Sequence, residues 1–318
     1  LTRTSDTSWT LSTLTIEDGP YLDTNGTATT LGLSSTSGSV TVTASSATGI
    51  NGGVGFATTD VGRLIRWKDS ANNWTWLTIT AWTSTTQVTA TISGPNASAT
   101  TATVNWRLGV WSATTGYPVA ISFFQERLAM GGAASYPDRV DLSKTGGFSS
   151  VSSTFQPTNP AGTTADDNAI TVVMPSGQIN GLRWLASDLK GLIAGTSKEE
   201  FLIRSTTFGE SMTPTNKTVA PFSSTGSAYI QPVRTVFGTS FIQAARRRLF
   251  DIVYSSEQDS LVPIDTTLAA EHITRSGIIA TAYQQEPINV LWTLRNDGVL
   301  AAVTHYPTEK VWGWHRHI

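Results

Sequence analysis

Short runs in which apolar and polar residues alternate, broken by turns rich in Gly, Asn, Asp and Ser, recur along most of this chain. Period-two alternation places every second side chain on one face of an extended strand, so the pattern predicts β-structure. Between residues 38 and 107 the runs are 40–43, 64–67, 74–82 and 87–92. Short strands at that spacing suit a small barrel or sandwich, and predict a domain over 38–107. Residues 1–37 read as an N-terminal segment or linker. Its alternating run, 9–16, fits a strand or a linker, and Gly19-Pro20 ends it. The stretch from Trp106-Arg107-Leu108-Gly109-Val110-Trp111 to Gly116-Tyr117-Pro118 is an aromatic hinge. Its tryptophans demand burial, its glycines allow tight turns, and Pro118 fixes the start of the next strand. It marks the seam between two domains.

From 108 to 318 a loose repeat emerges, in which a strand and a short turn lead into an apolar strand and then a third strand. The units are 119–124, 127–132 and 139–143; 179–185, 191–196 and 200–203; 232–236, 240–244 and 248–254; and 278–283, 289–295 and 299–305. Their starts lie roughly 45 to 60 residues apart, near the period of propeller blades. Asn296-Asp297-Gly298 between two alternating runs is a hairpin signal. Radial repetition of small sheets hides their edges. The expected fold is therefore all-β: a β-propeller or partial propeller with an additional small β-barrel or sandwich domain. A long sandwich is the alternative. One short helix is expected over 265–273, with Asp265 as N-cap and Leu268 and His272 at helical spacing.

Composition sharpens this picture. Charged residues make up 14% of the 318, with 21 basic against 23 acidic, where about a quarter is usual. A net charge of −2 argues against a protein that grips nucleic acid through a basic surface, though not against one that nucleic acid slides past. The absence of cysteine excludes disulfides and thiolate metal sites. No apolar run approaches the roughly 18 residues of a membrane span. The chain starts at Leu1 and stops in what reads as mid-strand, which suggests a fragment of a longer protein.

Candidate chemistry is sparse. Arg246-Arg247-Arg248 is the basic cluster of the sequence, suited to phosphate or an acidic partner surface. Trp67, Trp74, Trp76 and Trp82 suit either core packing or a glycan-stacking platform. His315 and His317 alternate on a strand and, with His305, are the candidate metal ligands, a weak signal at that spacing. Asp166-Asp167 could bind a cation or serve in hydrolysis. Adjacent carboxylates on an extended chain point to opposite faces, so a turn is the simpler reading. Sialidase-type Asp-box turns, a Gly-x-Ser-x-Gly elbow, a phosphate-binding loop and His-Glu-x-x-His are all absent. The expectation is a non-enzyme without cofactor or metal.

Several segments, in this order and spacing, resemble the tail nozzle (tail tubular protein B-like) family of short-tailed bacteriophages and prophages. They include Gly19-Pro20-Tyr21-Leu22-Asp23-Thr24-Asn25, Asp60-Val61-Gly62-Arg63-Leu64-Ile65, Trp106-Arg107-Leu108-Gly109, Gly116-Tyr117-Pro118 and Phe124-Gln125-Glu126-Arg127-Leu128. They continue with Asp166-Asp167-Asn168-Ala169-Ile170, 179–185, 268–273, 283–287 and 311–317. The resemblance implies a virion structural protein of the tail. It would form a homo-oligomeric ring, a hexamer, below the head-tail adaptor protein, meet tail fibre or needle proteins, and enclose a channel through which DNA passes without specific binding. It implies no catalytic residues. Family members are longer at both ends. The alternatives are a carbohydrate-binding or adhesin module of a virion, and a propeller hydrolase acting through Asp166 or Asp167.

Overall fold

The computed structural model describes residues 2–11, 16–146, 154–177, 180–207, 209–257, 259–309 and 311–317. These residues form strands and three single 3₁₀ turns, with no α-helix among them. Among the described residues no helix is long and apolar enough to cross a membrane. The protein is all-β and propeller-like, with a curled second sheet.

A short ladder pairs β1 (Thr2–Arg3) with β2 (Trp9–Thr10). Of the N-terminal alternating run, residues 12–15 lie outside the described residues. A six-stranded antiparallel sheet follows, made of β3 (Leu31–Leu33), β4 (Ser39–Ala44), β5 (Leu64–Lys68), β6 (Trp74–Ser84), β7 (Gln87–Ile92) and β8 (Trp106–Leu108). Their order is β3-β4-β7-β6-β5-β8. The β6–β7 register shifts twice, between Ile79 and Ala81 and between Trp82 and Ser84. Such bulges bend a sheet and raise its twist. The sheet curls until Leu31 bridges to Thr103, just ahead of β8. The edge strand β3 comes from the segment that the sequence reads as a linker.

Alternation fills this barrel. Val40, Val42, Ile65, Leu77, Ile79, Val88 and Ala90 point inward with Trp67 and Trp106, which sit opposite each other across β5 and β8. A buried indole N–H needs an acceptor. Trp67 Nε1 donates to Leu31 O at 2.8 Å and Trp106 Nε1 to Thr29 O at 2.9 Å, fastening the edge strand from inside.

The rest of the chain forms four antiparallel four-stranded blades. The first is β9 (Ala120–Phe124), β10 (Arg127–Ala133), β11 (Tyr136–Leu142) and β12 (Ile170–Val173). The second is β13 (Leu182–Asp188), β14 (Gly191–Thr196), β15 (Glu200–Arg204) and β16 (Thr218–Ser223). The third is β17 (Val233–Thr235), β18 (Gly238–Ile242), β19 (Leu249–Ser255) and β20 (Ser260–Asp265), and the fourth β21 (Ile278–Gln284), β22 (Val290–Arg295), β23 (Leu300–Tyr306) and β24 (Val311–His317). Each is a simple meander, so the three strands expected per repeat gain a fourth. Ile179, expected in the second unit, lies outside the described residues. Apolar clusters join blade one to two, two to three and three to four. Among the described residues no such cluster joins the fourth to the first.

The helix expected over 265–273 is absent, and two turns stand there instead. Asp265 does act as a local acceptor, taking the Thr267 N–H at 2.8 Å, but this makes a turn. Leu268 and His272 are exposed, while Ala270 and Ile273 are buried against Ala301. The helical spacing of Leu268 and His272 therefore corresponds to no buried face.

Close packing between blades two and three depends on Gly195 in β14. A Cβ there would overlap the indole of Trp184, which itself packs on Phe241 with ring centroids 5.6 Å apart. Gly195→Ala is expected to lower unfolding free energy by about 1–3 kcal/mol, the usual range for overpacking, measured by chemical denaturation.

Candidate functional site at the domain seam

The barrel meets the first blade across segments with little regular structure: 16–25, 109–118 and 154–169. Buried backbone carbonyls in such segments need donors from elsewhere. Arginines supply them. Arg63, just ahead of β5, donates Nε to Gly109 O at 2.7 Å and Nη1 to Asn51 Oδ1 at 2.6 Å and Asp60 Oδ1 at 2.9 Å. Asp60 also accepts from Asn51 Nδ2, the Ala57 N–H and Thr114 Oγ1. Asp60 and Arg63 are both buried, and the pair ties the barrel to the hinge.

A second group lies beside it. Arg66 in β5 donates Nη2 to Thr158 O at 2.7 Å and sits over the Trp74 ring at 5.2 Å. Its Nε is 3.8 Å from Asp18 Oδ1, and the Asp18 carboxylate accepts the Tyr21 hydroxyl at 2.7 Å. Burial pushes the Asp18 carboxyl up, with Arg66 partly opposing it, and pushes the Tyr21 phenol well up. Burial also lowers Arg63 and Arg66. From the blade side, Arg139 holds Asp141 through Nε and Nη2 and donates Nη2 to Tyr21 O at 2.7 Å. Arg127 donates to the carbonyls of Ser143, Asp166 and Asn168. Trp111 meets Phe155 edge-on at 5.1 Å. A mainly apolar cavity of about 530 Å³ remains between Pro20, Leu64, Trp111, Tyr117 and Met130.

Of the residues singled out by sequence, Trp74, Asp166 and Asp167 lie at the seam, and the others lie elsewhere or serve packing. Trp67 is fully buried, Trp74 lies under Arg66, and Trp76 is half-buried against Gly94. Trp82 is 39% exposed, but its indole N–H is donated to Phe56 O. The four do not share an exposed plane. Arg246 to Arg248 form the β18–β19 turn, with Arg246 at φ 61°. Arg248 pairs with Asp265 at 3.1 Å and Glu271 at 2.6 Å, and the Arg247 carbonyl accepts Thr274 Oγ1, so this turn is braced to the segment after β20. Asp166 and Asp167 occupy a turn, and Asp167 meets Lys144 at 3.0 Å.

The histidines do not converge. His305 is buried with Nε2 2.6 Å from Asp251 Oδ2 of the third blade, whose Oδ1 accepts Ser240 Oγ at 2.6 Å. His315 and His317 lie on the opposite face of the fourth blade beside Trp292. No group of three or more possible ligands that could hold a metal occurs among the described residues. The Ser240–Asp251–His305 chain has the residue types of a hydrolase triad in the wrong order. Nucleophile activation needs the histidine between serine and carboxylate. Here the carboxylate is central and buried, and the chain clamps blade three to blade four.

The seam arginines escape a sequence reading that looks for clusters. Their signal was a solitary Arg inside or beside an apolar strand, as in Leu64-Ile65-Arg66-Trp67 and Arg127-Leu128-Ala129-Met130. A lone cation among residues that all need burial must find carbonyls or a carboxylate.

No protein-family model matches the chain, and no curated protein matches it. A solved structure of Citrobacter koseri AztD aligns at 12% identity and a TM-score of 0.37, over 91% of this chain and 82% of that one. A likeness at that level carries no argument about function.

Two expectations follow from these contacts. Arg63→Met leaves the Asp60 carboxylate buried without its cation. It should cost about 3–5 kcal/mol, read from denaturant midpoints. Glu200 in β15 is buried with only hydroxyl and backbone donors, such as Ser227 Oγ at 2.8 Å, and burial raises its pKa. The unfolded form ionises first, near the ordinary value of 4.5. Folded protein therefore binds the extra proton, and stability falls as pH rises from there through the folded value, then levels. Glu200→Gln should remove that slope in urea titrations across the range and be at least as stable as wild type at neutral pH.

Proposed function

We propose that this protein is a non-enzymatic structural component of a short-tailed bacteriophage or prophage tail, part of the nozzle ring that conducts DNA during ejection. One observation carries the reading: five of the segments that resemble the nozzle family meet at the seam, while others lie in blades two to four. Gly19 to Asp23, Asp60 to Ile65, Trp106 to Gly109, Gly116 to Pro118 and Asp166 to Ile170 lie far apart in sequence. They supply Tyr21 O, the Asp60–Arg63 pair, Gly109 O and the carbonyls held by Arg127. What this motif set specifies is a fixed junction between barrel and propeller, a mechanical task with no chemistry in it.

Two further features suit the reading. The outer face of the fourth blade exposes Leu294, Leu300 and Val311 beside Trp292, as a surface used in assembly would. Weak net charge suits a conduit that DNA must leave. Ring closure would use heterologous contacts between copies, with the head-tail adaptor above and fibre or needle proteins as neighbours. The glycan-platform alternative draws no support from tryptophans that lie buried or donate to the barrel's own backbone.

Electron imaging of the protein mixed with the adaptor ring tests this. A stacked, centrally open ring is expected. Isolated monomers without adaptor contact, together with absence of the protein from purified particles, would overturn the proposal.

A further inference from the structure

A second cavity, of about 320 Å³, lies where the barrel, the first blade and the second blade meet. Three cations reach it from three modules: Arg107 from β8, Arg139 from β11 and Lys217 immediately ahead of β16. Their own partners use only part of their donor capacity. A guanidinium has five N–H donors and an ammonium three. Arg107 donates Nε to Thr24 Oγ1 at 2.8 Å, and among the described residues its two terminal nitrogens have no hydrogen-bond partner. Lys217 Nζ gives one proton to Thr171 O at 2.6 Å. Arg139 spends Nε and Nη2 on Asp141, Tyr21 and Thr171, which leaves Nη1.

The charges do not cancel locally. Asp141 is held by Arg139 and Thr171, and the other carboxylate of this wall is Asp23 at the exposed rim. Three cations thus face two carboxylates. Burial lowers the pKa of Arg107 and of Lys217; at Arg107 repulsion from Arg66 and Arg139 adds to it against the pull of Asp23, and at Lys217 the Asp141 charge opposes it more than Arg139 adds. Phe155, Pro157 and Pro214 line the remaining wall together with the hydroxyl-bearing Thr158, Thr164, Thr171 and Thr215. Like charges gathered around one cavity, with donors left over on three modules, are the arrangement that an oxyanion relieves.

We propose that this cavity binds a phosphate dianion, as inorganic phosphate or as the terminal phosphate of a small molecule. A tetrahedral dianion carries two charges and presents oxygens out of one plane, whereas a carboxylate offers one charge on two coplanar oxygens. The volume stands at the low end of the range for small-molecule sites, roughly 300–1,000 Å³. Binding would cross-link barrel, first blade and second blade. It is independent of the tail reading.

Isothermal titration of the protein with inorganic phosphate at fixed ionic strength is the test. Wild type and Arg247→Gln, a change at an exposed side chain in the β18–β19 turn, should bind saturably. Arg107→Gln and Lys217→Gln should each bind at least tenfold more weakly, with unchanged circular dichroism. Lys217 makes a single contact to Thr171 O, so that variant keeps the test alive if Arg107→Gln fails to fold. Competition by ribose 5-phosphate separates the sources: displacement at lower concentration assigns a phosphomonoester, and failure to displace assigns the free ion. No saturable binding to wild type, or equal affinity in the folded variants, overturns the proposal.

Discussion

The structure depends on buried arginines that donate to main-chain carbonyls. Strand ladders satisfy the backbone within the barrel and within each blade. They do not reach the connecting segments that must be buried where the two meet. An unpaired carbonyl in that position costs on the order of 1–3 kcal/mol. Arg63 on Gly109, Arg66 on Thr158, Arg139 on Tyr21 and Arg127 on Ser143, Asp166 and Asn168 remove that cost. Each guanidinium in turn must be desolvated, and Asp60 and Asp141 offset that for Arg63 and Arg139. The arrangement holds only as a whole: a carbonyl without its arginine, or an arginine without its carboxylate, is worse than neither.

Rigidity spreads outward from this seam by two different means. On the barrel side, the indoles of Trp67 and Trp106 fix the edge strand β3, so the sheet that carries Arg63 and Arg66 cannot splay. On the propeller side, blades are joined by apolar clusters, which are strong but carry no direction. Direction is restored at the last joint by the buried Ser240–Asp251–His305 chain, whose hydrogen bonds fix how blade four sits on blade three. Apolar contact thus sets how closely the modules pack, and polar contact sets their angle.

How much of this was legible in the sequence follows the same division. Alternation along 74–82 and 87–92, the apolar run 191–196 and the Asn296-Asp297-Gly298 turn are local signals, and the barrel strands and blade hairpins follow them. The fourth strands of the first two blades are hidden from a local reading, because β12 and β16 are reached only after long connections. No helix forms over 265–273 because Asp265 serves a turn there, and the one pair at helical spacing, Leu268 and His272, is exposed and buries no face. The candidate site was the least legible. Contiguous residues such as Arg246-Arg247-Arg248 draw the eye, yet Arg248 is spent on Asp265 and Glu271. The arginines at the seam stand singly, and their partners are carbonyls up to 118 positions away, which no side-chain pattern encodes.

That distance explains why a motif set scattered over most of the chain can still describe one place. An active site needs a few side chains aimed at a reacting atom, and their identities leave a compact signature. A joint needs donors wherever carbonyls arrive, so its signature is spread over every segment that passes through. Glycines and prolines shape the path, as at Gly19-Pro20 and Gly116-Tyr117-Pro118, and single arginines close the backbone account. Substituting along such a joint changes the angle between modules before it changes either module, because each keeps its own core. Buried polar contacts concentrated at a joint hold the two modules in one orientation, and reading such a joint for function means asking what that orientation must serve.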